Sequence, residues 1–262
     1  MAQLAMVTGA SSGIGEAFAE RLAGDGWDLV LVARRRDKLE ATAARVSAAH
    51  GISARVVEAD LSDSAQLAAL CSEAAGLPLG LLVNNAALAH YMPFATLPPA
   101  SAEQLVQLNV LAPVLLTRAV LDGMLERGEG AVVNIASLLA FSGSWEKDYL
   151  PKRAVYAASK SFLTTFTQIL AAELRDTGVR AQVVCPGLVR SEFHTRQGVD
   201  LSSVPRLEPE AVVTACLADL ARGVVVSIPG AEDDGALHAM AAASETLMPA
   251  TRATDLPARY GG

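Results

Sequence analysis

Short apolar runs alternate with longer amphipathic stretches along this chain. Residues 4–8, 29–33, 54–58, 79–84, 131–136, 180–185 and 224–228 are rich in Val, Leu and Ile and bounded by Gly, Asn, Asp or Pro, the pattern of strands buried on both faces. Between them, apolar residues recur at helical spacing over 14–23, 36–49, 64–75, 102–125, 156–177 and 208–221. Leu61-Ser62-Asp63 and Leu97-Pro98-Pro99 supply start signals for the third and fourth of these helices. Strand and helix alternating in this way predict an α/β fold, a parallel sheet covered by helices on both faces. No repeat, low-complexity tract or linker breaks the pattern, so residues 1–262 read as a single domain with a core over about 4–228. Residues 230–262 lose the periodicity and are expected to form a C-terminal helix and tail.

Composition narrows the partners. The 262 residues are 52% hydrophobic with a formal net charge of −7, which argues against a protein built for phosphate backbones or anionic lipid. Cys71, Cys185 and Cys216 form no CxxC pair, and neither a disulfide framework nor a metal site is expected. Cys185, ending a buried strand, reads as core. The uncharged stretch 74–102 is interrupted by Pro78, Pro93, Pro98, Pro99 and Asn84-Asn85, unlike a membrane span. Met1 to Val7 lack the positive start of a signal peptide. A soluble, cytoplasmic protein is expected.

Thr8-Gly9-Ala10-Ser11-Ser12-Gly13-Ile14-Gly15 follows the first strand and opens the first helix. Glycines here permit a tight turn and let a pyrophosphate approach the helix N-terminus. Many strand–helix turns need glycine for the backbone alone, but placement in the first βαβ unit favours a dinucleotide. The second strand runs into Ala33-Arg34-Arg35-Arg36, where a site for NAD usually offers a carboxylate to the ribose. Arg34 and Arg35 suit a 2′-phosphate instead, and Ser11 or Ser12 can add a hydroxyl to it. NADP(H) is therefore expected over NAD(H), the plainer alternative being a solvated charge run.

Tyr156 and Lys160 stand at i and i+4, on one helix face. A cation beside a phenol favours the phenolate and makes it a general acid/base. Alone, such a pair is commonly a surface pairing. Asn84-Asn85-Ala86-Ala87, Ser137 and Pro186-Gly187 close the fourth, fifth and sixth strands, and Asn109 lies in the long helical region. In an open parallel sheet ligands bind beyond such carboxyl ends, although each residue also makes sense as a turn former, a cap or a buried polar group.

On these motifs, from Leu4 to about Ile228, the chain resembles a single-domain short-chain dehydrogenase/reductase. The resemblance implies a three-layer Rossmann fold, with a doubly wound seven-stranded parallel sheet ordered 3-2-1-4-5-6-7. It implies that Tyr156 is the acid/base and that Ser137 holds the substrate oxygen. Lys160 would bind the nicotinamide ribose and lower the tyrosine pKa, and Asn109 would support a proton relay through water. Gly9, Ser12, Gly13, Ile14 and Gly15 would line the pyrophosphate, Asp60 and Leu61 the adenine, and Asn85 and Ala86 the adenosine ribose. Pro186, Gly187, Val189 and Ser191 would flank the nicotinamide. A homodimer or homotetramer through the regions 102–125 and 156–177 is also implied.

Two departures from the family pattern stand out. Ala87 replaces a common glycine, and Ser137 and Tyr156 are nineteen residues apart, where a dozen or so is usual. The extra residues, among them Trp145 and Tyr149, read equally as a lid beside the substrate mouth or as a solvent loop. Residues 188–207 should cover the pocket with Phe193, His194, Arg196 and Val199. His194 reads as solvated rather than as a second acid/base. The expected activity is NADPH-dependent reduction of a ketone or aldehyde, or the reverse. A non-catalytic dinucleotide sensor leaves the Asn109, Ser137, Tyr156 and Lys160 set without purpose, and a Rossmann-like methyltransferase has no use for the Tyr-Lys pair.

Overall fold

Seven parallel strands form one sheet in the order β3-β2-β1-β4-β5-β6-β7. They are β1 (Leu4–Thr8), β2 (Asp28–Ala33), β3 (Ala54–Glu58), β4 (Leu79–Asn84), β5 (Gly130–Ile135), β6 (Val179–Val184) and a two-residue β7 (Val226–Ser227). The computed structural model describes residues 3–195, 198, 200–201 and 203–260. Arg196, Val199 and the His194 side chain, expected near the pocket, lie outside what is described.

Strand alternation sorts the core into two layers. Ala5, Val7, Leu29, Leu31, Leu81 and Val83 point to one face, where Phe18 and Leu22 of α1 (Gly13–Gly24), Leu39 and Val46 of α2 (Arg36–His50), and Val212, Cys216 and Leu220 of α8 (Pro209–Ala221) cover them. Met6, Val30, Val32, Leu82 and Val132 point to the other. There they meet Leu67 and Leu70 of α3 (Ser64–Ala75), Leu116 and Val120 of α5 (Ala112–Arg127), and Leu170 of α6 (Ala154–Glu173). Leu79 joins this second layer although its parity differs from Leu82, because the β1–β4 register shifts between Leu4 and Ala5. Burial on both faces is why the strands read as continuous apolar runs.

The expected helix over 102–125 is two helices. α4 (Pro99–Val106) begins at the proline pair and passes through one π-turn, Gln107–Leu111, into α5. A π-turn inserts a residue into the helical ladder and re-aims the side chains around it; here it carries Asn109, 1% exposed. α6 begins two residues earlier than expected and stops at Glu173 rather than at residue 177. Beneath the strand ends, Asn84 donates to Asn134 Oδ1 (2.9 Å) and Thr117 Oγ1 (3.2 Å), and Asn134 donates to Thr167 Oγ1 (2.8 Å). This buried chain ties β4 and β5 to α5 and α6, since a buried amide left unpaired is costly.

The chain divides into two units, Met1–Pro229 and Gly230–Gly262. The second consists of α9 (Gly235–Glu245) and two single turns, Met248–Arg252 and Ala258–Tyr260.

Candidate active site

One continuous cavity of about 820 Å³ runs along the carboxyl ends of the strands, from Arg34, Arg35 and Asp60 to Ser137, Tyr156 and Tyr149. That volume lies within the range of cofactor and small-molecule sites. Its first end is built on the turn after β1. Thr8 Oγ1 accepts the Asn85 and Ala86 amide N–H groups at 2.9 and 3.0 Å, while Asn85 Nδ2 donates to the Thr8 carbonyl at 2.9 Å. The end of β4 is thereby drawn against the glycine turn. Gly9 has φ +68°, and a Cβ on Gly15 would stand 2.6 Å from Asn85 Nδ2 and overlap the Gly9 carbonyl oxygen. Only glycine permits this approach. Ser12, the N-cap of α1, makes no side-chain capping bond, so its hydroxyl faces other partners.

Those partners are guanidinium groups. Arg35 donates to Ser11 Oγ and Ser12 Oγ, both at 2.9 Å, and pairs with Glu192 at 2.8 Å. Lys38 meets the same carboxylate at 2.9 Å. Arg34 lies 3.7 Å from Asp60. Burial pushes the Asp60 carboxyl up, but hydrogen bonds from Ser62 and the Arg34 charge outweigh it and leave the pKa lowered. A glycine turn at an open helix N-terminus, flanked by two arginines and two serine hydroxyls, fits a phosphorylated dinucleotide.

At the other end, Ser137 follows β5 by two residues, and Tyr156 and Lys160 stand on α6. Ser137 caps the following turn by accepting the Leu139 N–H at 3.2 Å and also hydrogen-bonds Tyr156. Burial pushes the Tyr156 phenol up to about 12, with hydrogen bonds from Ser137 and Tyr91 opposing the rise. Lys160 Nζ donates to the Ile135 carbonyl at 2.8 Å and lies 5.9 Å from the Tyr156 ring centre. Burial lowers its pKa to about 8. The expected depression of the Tyr156 pKa by Lys160 is therefore not what this structure displays, since desolvation of the phenol dominates. Asn109 sits behind the cavity wall: its Oδ1 accepts the Leu88 N–H at 3.0 Å, and its Nδ2 donates to the Leu88 carbonyl at 2.9 Å and to Ser159 Oγ at 3.2 Å. It pins the loop that leaves β4.

The long segment between Ser137 and Tyr156 folds over this end. Residues Leu138–Ser144 form a 3₁₀ turn, and Trp145, Tyr149, Leu150 and Pro151 line the cavity. Arg153 holds the segment in place by donating to Ser142 Oγ (2.9 Å), the Ser142 carbonyl (3.0 Å) and the Pro151 carbonyl (3.1 Å). Tyr91, Leu139, Leu188, Phe193 and Leu201 complete an apolar and aromatic wall.

The short chain dehydrogenase family model matches residues 3–201. The chain belongs to that family. It is 32% identical over 232 residues to the very-long-chain 3-oxoacyl-CoA reductase of Mus musculus, covering 86% of this chain and 72% of that protein. It is 38% identical over 186 residues to a ketoacyl reductase of Nostoc, covering 70% and 62%. Matches to the curated reductases of mouse, cattle and duck span 72%, 61% and 67% of their lengths. Among solved structures, a short-chain dehydrogenase from Sphingobium yanoikuyae in complex with NADPH superposes with a TM-score of 0.92 at 34% identity, over 98% of this chain and 100% of that one. A bulky-bulky ketone specific alcohol dehydrogenase from Comamonas testosteroni gives 0.88 at 29% identity, over 99% of each.

In this dehydrogenase the cavity brings together Gly9, Ser11, Ser12, Gly13, Ile14, Arg34, Arg35, Asp60, Leu61, Asn85, Ala86, Ser137, Tyr156, Lys160, Pro186, Gly187, Val189 and Ser191. Gly15 stands one residue behind that wall and Asn109 behind the Tyr-Lys pair. Sequence reasoning missed Glu192, Lys38, Tyr91 and Arg153. Tyr91 and Arg153 lie in loops, Lys38 on the exposed face of α2 and Glu192 in the single turn α7 (Glu192–Thr195), and no sequence signal marks which distant neighbour such a side chain will meet.

Proposed function

We propose that this short-chain dehydrogenase uses NADP(H) to interconvert a bulky, uncharged ketone and its secondary alcohol. The observation that carries the reading is the single cavity joining the Arg35 fork over Ser11 and Ser12 to an aromatic chamber around Ser137 and Tyr156. At the chamber end the described lining residues are uncharged except for Lys160, whose Nζ is engaged by Ile135. Such a wall favours a large apolar substrate over a small polar one.

Arg34, Arg35, Ser11 and Ser12 would hold the adenosine phosphate, the Gly9–Gly15 turn the pyrophosphate, and Lys160 the nicotinamide-side ribose. The bound cofactor supplies or accepts hydride. The chain's own part is to orient and to move a proton. The Ser137 hydroxyl donates to the carbonyl oxygen and fixes its position; the Tyr156 O–H bond breaks as that oxygen takes the proton. In alcohol oxidation the same phenol accepts the proton. The apolar wall excludes water from the reacting atoms.

A homo-oligomer is part of the reading. Val106 of α4, Leu111 of the π-turn and Leu115 of α5, with Phe162 and Ile169 of α6, are all at least 40% exposed. The Phe162 and Phe166 rings stack at 6.1 Å. Apolar residues at these spacings form helix faces suited to a second copy.

The test is turnover of a panel spanning small ketones, ketones with two large substituents, and a 3-oxoacyl-CoA, with NADPH and with NADH. The reading expects the bulky ketones with NADPH to give the highest kcat/KM. Preference for the CoA thioester would move the substrate class towards that of the mouse relative, and preference for NADH would overturn the arginine assignment.

A further inference from the structure

The Tyr156 phenol does not stand alone. Tyr91, in the loop leaving β4, presents its ring edge to it, with ring centres 5.6 Å apart and planes at 79°. Each phenol also bears on the other's titration, Tyr156 raising the Tyr91 pKa and Tyr91 lowering that of Tyr156. Tyr91 is only partly buried yet lines the chamber where the substrate oxygen must sit. Its position is imposed from behind, because Asn109 in the π-turn fixes both the N–H and the carbonyl of Leu88, three residues earlier. Leu88, Ala89, Leu105 and Leu139 then pack around Tyr91 and Tyr156 as one cluster.

We propose that Tyr91 is a positioning residue for the proton transfer, its phenol donating a hydrogen bond to the Tyr156 oxygen while the Ser137 hydroxyl donates to the substrate oxygen. When Tyr156 gives its proton to the substrate oxygen, the phenolate left behind keeps the Tyr91 hydrogen bond, and Tyr91 keeps its own proton throughout. A donor already aimed at a charge before it develops stabilises that charge without reorganisation. The opposite signs of those mutual effects set the direction of donation: Tyr91 is the phenol that keeps its proton. The groups facing the Tyr156 oxygen or ring are Ser137 from β5, Tyr91 from the β4 loop, Lys160 one turn along α6, and Cys185 after β6, with the uncharged Phe193 ring at 6.1 Å. Lys160 is held by Ile135 and Cys185 shares a hydrogen bond with Thr164, leaving Tyr91 to serve the Tyr156 oxygen while Ser137 serves the substrate.

This role rests on the ketone-reductase reading, and the experiment separates the two. Protein carrying ¹³C at the tyrosine ζ carbon gives one resonance for each of its four tyrosines. Tyr156→Phe identifies the Tyr156 signal by its loss. Tyr91→Phe, which preserves the ring packing, is expected to shift that signal in protein free of cofactor and substrate. The same variant is expected to lower kcat about 10- to 100-fold with a smaller change in KM, the scale of one hydrogen bond to a charged group. It should also move the rising limb of the pH profile for alcohol oxidation to higher pH, because the base loses a stabilising donor. An unmoved Tyr156 resonance or an unmoved pH limb overturns the role, as does a change in KM alone, which marks a pocket wall. A wild type inert towards every ketone overturns the functional reading, and this role with it, whatever the resonances do.

Discussion

Lys160 places an ammonium group at 2% exposure, with the Ile135 carbonyl as its hydrogen-bond partner. Its pKa falls from 10.5 to about 8, so the unfolded chain binds more protons than the fold between those values and stability rises with pH across that window. Below about pH 8 the full penalty, about 3 kcal/mol, weighs on the fold. Lys160→Met is therefore expected to raise Tm at pH 7 while abolishing turnover, measured by calorimetry and a coupled assay; a lower Tm would show that the Ile135 hydrogen bond outweighs desolvation. At the cofactor end the decisive cation is Arg35. It forks onto two serine hydroxyls, whereas Arg34 is more exposed and sits against Asp60. Arg35→Ala should weaken NADPH binding about 10- to 100-fold and leave NADH nearly unchanged, the scale of charge-assisted hydrogen bonds to one phosphate. Fluorescence titration with both cofactors measures it.

At the scale of elements, the segment between β5 and α6 is held over the chamber by Arg153 and by Ser161 of α6, whose hydroxyl donates to the Ala140 carbonyl. Arg153 makes three backbone or hydroxyl hydrogen bonds to residues 142 and 151 within it. Arg153→Ala should free the segment, raise KM for bulky ketones several-fold and leave small ketones little affected; equal effects on both would make the segment a plain structural loop. The chain showed this insertion only as extra length between Ser137 and Tyr156, and could not say whether it folds inward, because Trp145 and Tyr149 have no periodic partners. The strands and most helices were legible because burial on both faces leaves unbroken apolar runs. The break at Gln107–Leu111 was not legible, since a π-turn preserves the apolar pattern while shifting its phase. Asn109 stood out in the sequence as a polar residue within a helical region, and its hydrogen bonds to Leu88 make it a support for the loop after β4. The shared helix face of Tyr156 and Lys160 was readable from i, i+4 spacing; Tyr91 was not, because a loop residue finds Tyr156 only through the tertiary fold.

At the scale of the whole molecule, the cleft and the exposed helix faces make separate demands. The faces carrying Leu115 and Ile169, 45% and 58% exposed, belong to helices whose inner sides fill the core. Leu115→Lys combined with Ile169→Lys should reduce the native mass in light scattering to that of one chain, 27.2 kDa; an unchanged mass places any interface elsewhere. The cleft, in turn, joins arginines and serine hydroxyls at one end to an apolar chamber at the other. The proposed reaction uses both, with Tyr156 passing its proton to the substrate oxygen inside the chamber. The most direct test compares wild type and Tyr156→Phe, at matched folding by circular dichroism and matched NADPH affinity, in single-turnover reduction of a bulky ketone. The account expects the variant to bind NADPH as before and to lose about 100- to 10,000-fold in rate, the range for a positioned acid/base. Turnover surviving the loss of that one hydroxyl would contradict it.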